Sequence, residues 1–158
     1  MRIRHAEIDD AEELACLLNT IIAEGSKTAI DTPLTGSEFA EWFIIGSHCI
    51  SCLIAVTDGV VVGFQALERF HGDLPPGVAD IATFVAKRGR SSGVGRSLAH
   101  ATAAIAEEVG LQCLRAVIQA SNEDAIGYYR SIGFLGEADS TTSESVTLTR
   151  CIAPARDA

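Results

Sequence analysis

A chain of 158 residues with 47% hydrophobic content can bury a sizeable core without disulfide staples, and a formal net charge of -9 argues against nucleic acid, whose backbone demands a broad basic face. Nowhere do 18 apolar residues run uninterrupted, and the opening MRIRHAEIDD lacks the apolar core of a signal peptide, so the expectation is a soluble, cytoplasmic chain with no membrane partner. The five cysteines are odd in number and Cys49-x-x-Cys52 has no second pair or histidine set at zinc spacing, which leaves no metal site and small buried thiols in a reducing compartment.

In chain order, Arg2 to Ala6 alternates as a short strand. Asp9 with Glu12 has the spacing of a capping box, and Leu14, Leu17, Leu18, Ile21 and Ile22 form one apolar face of a helix that ends near Gly25. A small polar loop, SKTAIDTPL, leads to a second box at Thr35 and Glu38. Phe39, Trp42 and Phe43 then make a core-facing helical stripe that stops at Gly46. Two β runs, Cys49 to Val56 and Val60 to Phe70, flank Thr57-Asp58-Gly59, a strong hairpin signal. After HGDLPPG comes a run of β-formers, Ile81 to Val85. Val94, Leu98, Ala101, Ile105 and Val109 fall at helical spacing before Gly110, and Gln112 to Gln119 is a strand. A helix from about Asn122 to Ile132 closes at Gly133, and strands fit Phe134 to Ala138 and Ser145 to Ile152. The order β-αα-ββ-β-α-β-α-ββ implies an α/β (α+β) fold, a mixed sheet flanked by helices. One domain spans 1–153, followed by a short tail at 154–158.

Between Val85 and Leu98 the sequence reads AKRGRSSGVGRS. Gly93 and Gly95 let backbone N–H groups turn inward, and the first helical turn adds its unpaired N–H groups and the positive end of its dipole. Four of the 12 Lys and Arg residues, Lys87, Arg88, Arg90 and Arg96, fall within ten residues, and Arg96 in the first turn is disfavoured unless an anion lies nearby. This is a phosphate cradle or an ordinary glycine-rich helix cap. It is not a nucleoside triphosphate loop, which needs G-x-x-x-x-G-K-[ST], nor a dinucleotide fingerprint, because Leu98 stands where the third glycine belongs.

Arg90-x-x-Gly93-x-Gly95 resembles the acyl-CoA loop of the GNAT superfamily of N-acetyltransferases. The resemblance becomes specific downstream, where Asn122, Ala125, Tyr129, Gly133 and Phe134 match N-x-x-A-x-x-x-Y followed by G-F. It covers Asp80 to Phe134 and implies a mostly antiparallel sheet whose fourth and fifth strands splay apart to admit the pantetheine of acetyl-CoA. Phe84 and Val85 would pair with that arm. Arg90, Ser91, Ser92, Gly93, Val94, Gly95 and Arg96 would hold the diphosphate, and Asn122 would contact the pantetheine. Lys87 replaces a frequent proline and Ser91 a frequent glycine.

Acetyl transfer to an amine needs a neutral nucleophile, oxyanion stabilisation and a proton for the departing thiolate. Tyr129 matches the family tyrosine that can supply the proton; Tyr128, about 100° round the helix, is expected to face elsewhere. Asp80 matches the position of a glutamate in the branch resembling phosphinothricin and amino-acid acetyltransferases, with Glu68 as the alternative base. His48 and His71 match nothing in the family and read as surface residues. Asn19-Thr20-Ile21, Thr28 to Pro33 and Trp42-Phe43 resemble that branch's acceptor side. The resemblance thus implies an acetyl-CoA-dependent N-acetyltransferase acting on a small primary amine, an amino acid or an analogue, and by analogy a homodimer. The alternatives are a protein N-terminal or lysine acetyltransferase, or a CoA-binding module without turnover; Tyr129 together with an acid at 80 favours turnover.

Overall fold

The computed structural model describes residues 1–25, 30–90, 92–136 and 144–152. Six strands form one sheet in sequential order: β1 (Arg2–His5), β2 (Cys49–Thr57), β3 (Val60–Glu68), β4 (Val78–Val85), β5 (Cys113–Gln119) and β6 (Ser145–Cys151). All neighbours are antiparallel except β4 and β5. That one parallel step is spanned by helix α3 (Val94–Glu108), as a parallel connection requires. Helices α1 (Ala11–Ala23) and α2 (Gly36–Phe43) join β1 to β2, and α4 (Glu123–Ser131) joins β5 to β6.

Period-2 alternation divides the core between the two faces of the sheet. Phe64, Ala66 and Phe84 meet Leu14, Leu18, Phe39 and Phe43 of α1 and α2 on one face. On the other, Leu53 and Val62 meet Val94 and Leu98 of α3, while Leu114, Ala116 and Leu148 meet Tyr129 and Phe134 at α4. The β2–β3 hairpin turns through Asp58 (φ 52) and Gly59 (φ 76), the left-handed pair that a two-residue hairpin demands.

Several local expectations change. The first helix is not capped by Asp9 and Glu12. A 3-10 turn over Ile8–Asp10 precedes it, boxed by Glu7 and Asp10, and both Asp10 oxygens receive Arg4 (2.8 and 2.9 Å). The Thr35–Glu38 box is present as expected. Trp42, read from its spacing as core, is 46% exposed and leans on Phe70, because an eight-residue helix buries only the stripe of Gly36, Phe39, Ala40 and Phe43. Helix α3 buries Val94, Leu98, Ala99, Thr102 and Ala106, a stripe rotated from the expected one, and leaves Val109 55% exposed. The expected strand from Phe134 to Ala138 contributes a bridge between Leu135 and Thr149; its last two residues, like Ser91 and the 154–158 tail, lie outside the described residues.

Candidate active site

The two parallel strands separate early. β4 pairs with β5 only from Val78 opposite Cys113 to Asp80 opposite Arg115; beyond that row β4 follows β3 and β5 follows β6. A wedge-shaped gap opens in the middle of the sheet. Ladder parity decides which main-chain groups face it. Ala86 N–H donates to Val62 C=O, so in an antiparallel ladder Phe84 turns its amide and carbonyl to Phe64 on β3, while Thr83 and Val85 turn theirs toward the gap. Of the two β4 residues expected to pair with an extended ligand, Val85 presents main chain and Phe84 lines the gap without doing so. Thr83, on the same edge, also turns main chain toward the gap, where it meets the Tyr129 phenol.

The gap forms part of a cavity of about 860 Å³ lined by Thr83, Phe84 and Val85, by Gly89, Arg90, Gly93, Val94, Gly95 and Arg96, and by Asn122, Tyr128 and Tyr129. At its wide end Gly93 is the residue before α3, with φ +85, and a Cβ added there would meet nothing within 4 Å. The loop main chain is therefore open to the cavity, with the helix N-terminus directly behind it. Arg96 lies in the first turn and is exposed. Arg90 donates from Nε to Val85 C=O (3.1 Å), with its head 3.8 Å from Glu24, and the Ser92 hydroxyl donates to Gly89 C=O (2.6 Å). Gly95 has a different role from Gly93: a Cβ there would lie 2.7 Å from Cε1 of Tyr128, so its missing side chain is the space the tyrosine fills.

At the narrow end both tyrosines of α4 enter, contrary to the expectation from helical angle alone. Their rings lie 4.9 Å apart edge to face, and both line the cavity. The Tyr128 hydroxyl donates to Gly95 C=O (2.7 Å) and accepts from Gln65 Nε2 (3.1 Å). The same amide donates to Thr83 Oγ1 (2.9 Å), and Thr83 Oγ1 lies 2.8 Å from the Tyr129 hydroxyl. Gln65 is fully buried, and its Oε1 has no partner among the described residues. Burial pushes the Tyr129 phenol well above its ordinary value, with the Thr83 hydroxyl and main chain pulling the other way; Tyr128 is raised by burial too. A neutral, proton-bearing phenol at the inner end of the gap can serve as an acid. Asn122 caps α4, its Oδ1 accepting from Ala125 N–H (3.2 Å) at the cavity wall.

Asp80 and Glu68 lie opposite each other on β4 and β3, on the face covered by α1 and α2, and neither lines this cavity. Both Asp80 oxygens are held by Arg115, at 2.6 and 3.0 Å. Burial, with the Asp80 charge second, pushes the Glu68 carboxyl up to about 8. Thr83, Gln65 and Arg115 are absent from the residues the sequence pointed to. The available signal was a polar side chain with apolar neighbours on both sides, in VVVGFQALE, IATFV and CLRAVIQ alike.

A split sheet with a glycine loop at one end and a buried phenol at the other defines a class of acyl-transfer protein. The sequence pattern of the acetyltransferase (GNAT) family matches residues 18–134, and the chain belongs to that family. Among curated proteins it is 28% identical over 138 residues to "Putative phosphinothricin acetyltransferase YwnH" of Bacillus subtilis (strain 168), covering 85% of this chain and 83% of the other. The fold is shared with an acetyltransferase of the GNAT family from Streptococcus pneumoniae (TM-score 0.80, 22% identity, 96% and 99% of the two chains). It is shared equally with a GNAT superfamily phosphinothricin acetyltransferase from Sinorhizobium meliloti solved in complex with AcCoA (TM-score 0.80, 18% identity, 96% and 88%). Among the described residues no group of His, Cys, Asp and Glu could hold a metal, and no helix is long and apolar enough to cross a membrane.

Proposed function

We propose that this acetyltransferase moves the acetyl group of acetyl-CoA directly to a small primary amine, an amino acid or an analogue of the phosphinothricin kind. The observation that carries the reading is the continuity of one cavity from the open main chain at Gly93, along the β4 edge at Val85 and Thr83, to the phenol of Tyr129. Gly93, Val94 and the first turn of α3, with Arg90 and Arg96 beside them and Ser91 and Ser92 in the same loop, would bind a diphosphate through N–H groups and positive charge. Val85 and Thr83 would hydrogen-bond an extended amide-bearing arm as a further strand would, and Asn122 would flank it. Acetyl-CoA supplies an activated acyl group and a thiolate leaving group. The chain supplies the proton: Thr83 Oγ1 accepts from Gln65 and so can turn its own hydrogen to the phenolic oxygen, an arrangement in which Tyr129 would keep its hydrogen for the departing sulfur.

The relative from Bacillus subtilis supports the choice of acceptor, because its name refers to phosphinothricin. The test is free thiol released from acetyl-CoA across a panel holding L-phosphinothricin, methionine sulfoximine, the common amino acids, lysine-containing peptides and peptides with free N-termini. Turnover of a small amine supports the reading. Turnover of peptides alone would replace it by protein acetylation, and tight acetyl-CoA binding with no turnover of any amine would replace it by a binding role.

A further inference from the structure

We propose that Arg115 is a positioning residue that captures Asp80 and so leaves Glu68, on the adjoining strand, to take the proton from the incoming amine. The proposal rests on the small-amine reading above and deepens it by naming the base and what selects it.

Three ionisable side chains form a single row across the sheet. Glu68 stands opposite Asp80 between β3 and β4, and Asp80 stands opposite Arg115 between β4 and β5. Alternation puts Glu68 on the same side as Phe64 and Ala66, and Asp80 on the same side as Ala82 and Phe84, the side covered by α1 and α2. The row is also the last at which β4 and β5 are paired, so it lies at the inner end of the gap. Thr83, which holds Tyr129, is three residues farther along β4, or about 10 Å at strand rise. Proton donor and acceptor thus flank the inner end of the gap from opposite faces of the sheet.

Within the row the two acids differ. Asp80 is buried, with both oxygens occupied by the two-pronged guanidinium of Arg115, a group that does not release its proton in water. The Glu68 carboxylate makes no ion pair or side-chain hydrogen bond among the described residues and is partly open to solvent. Its carboxyl is raised to about 8 by burial and by Asp80, which suits a base working near neutral pH. The other ionisable groups around it do not neutralise it. Cys49, opposite it on β2, is itself pushed up to about 11 and stays a thiol. Arg69 spends its guanidinium on the carbonyls of Leu74, Pro75 and Val78. Glu41 and His48 stand in the neighbouring hollow with Trp42 and Phe70.

The proton balance closes. An ammonium group gives one proton to Glu68 and frees its lone pair; the C–N bond forms, the C–S bond breaks, and sulfur takes the Tyr129 proton. The nitrogen then gives its surplus proton back to the phenolate and keeps one as the amide N–H, and Glu68 releases its own proton to solvent.

The test joins an NMR titration of glutamate carboxyl carbons in the free protein to the pH dependence of kcat/KM, using the best amine from the thiol-release panel. In the wild type Glu68 should titrate far above the other glutamates. Asp80→Asn removes a like charge, so the Glu68 titration and the acidic limb of kcat/KM should both move down in pH. Arg115→Met exposes Glu68 to an unpaired Asp80, so both should move up, and Arg115→Lys should bring them part of the way back. Glu68→Gln should lower kcat by about 10²- to 10⁴-fold with KM for acetyl-CoA unchanged. The proposal is overturned if Glu68 titrates with the other glutamates, if Glu68→Gln keeps wild-type kcat, or if the two shifts share a sign. Failure of every amine in the panel would strike the acceptor reading, whereas the titration of Glu68 in the three variants would still decide whether the row is wired in this way.

Discussion

The phenolic oxygen of Tyr129 lies 2.8 Å from Oγ1 of Thr83, on the edge of β4 that β5 leaves uncovered. The contact links the helix carrying the acid to the strand bordering the gap, and Gln65 ties both to Tyr128 and so to the carbonyl of Gly95 in the glycine loop. The two ends of the cavity therefore share one hydrogen-bonded chain.

Removing the acid should slow chemistry and spare binding. Tyr129→Phe is expected to lower kcat by about 10²- to 10⁴-fold, the usual range for a positioned proton donor, with the Kd of acetyl-CoA nearly intact. Thr83→Val should cost less, and Thr83→Ser should restore most of the loss, because the hydroxyl and not the methyl meets the phenol. Steady-state kinetics with calorimetric Kd values checks both; equal rates for Tyr129→Phe would remove the phenol from the mechanism.

At the other end of the cavity, Gly93→Asp should weaken acetyl-CoA binding more than any change at Tyr129. A carboxylate there would stand in the open space in front of the loop main chain and would repel the diphosphate proposed to bind it. Calorimetry should show affinity lost; unchanged affinity would place the diphosphate elsewhere.

Gly95→Ala tests a packing claim. The added methyl would meet the Tyr128 ring at 2.7 Å, and overpacking of this kind costs about 1–3 kcal/mol. Urea unfolding should show that loss, and Tyr128→Ala should relieve much of it in the double variant. Additive effects would mean that the two residues do not compete for one space.

The raised Glu68 carboxyl also predicts a stability slope. Its folded value of about 8 stands above the ordinary 4.5, so the folded state keeps a proton that the unfolded state releases in between. This contribution is fully present below pH 4.5, is lost as pH rises to about 8, and is flat beyond. Glu68→Gln should flatten the dependence of urea midpoint on pH across that window and leave it unchanged below.

Much of the fold was legible in one dimension because its signals are local. The Thr35–Glu38 box, the Asp58-Gly59 turn, the glycine before α3 and the period of each strand depend on residues within one turn or one pleat of each other. The motif residues from Arg90 to Tyr129 carried the family for the same reason. Trp42 and Val109 were misjudged because a helical stripe states which residues share a face and not how far the covering sheet extends.

What the sequence by itself determined was the kind of chemistry: a loop that welcomes an anion, followed at family spacing by a tyrosine, in an acidic chain of α/β order. Only the tertiary structure decided which groups meet. That Thr83 and not Phe84 turns its main chain to the gap follows from hydrogen-bond parity with β3, and the entry of both tyrosines into one cavity follows from how α4 packs on the sheet. The capture of Asp80 follows from a parallel register that sets Arg115, distant in sequence, directly beside it. Each is a relation across strands or layers, set by pairing and packing between segments far apart in the chain, and no local pattern encodes it.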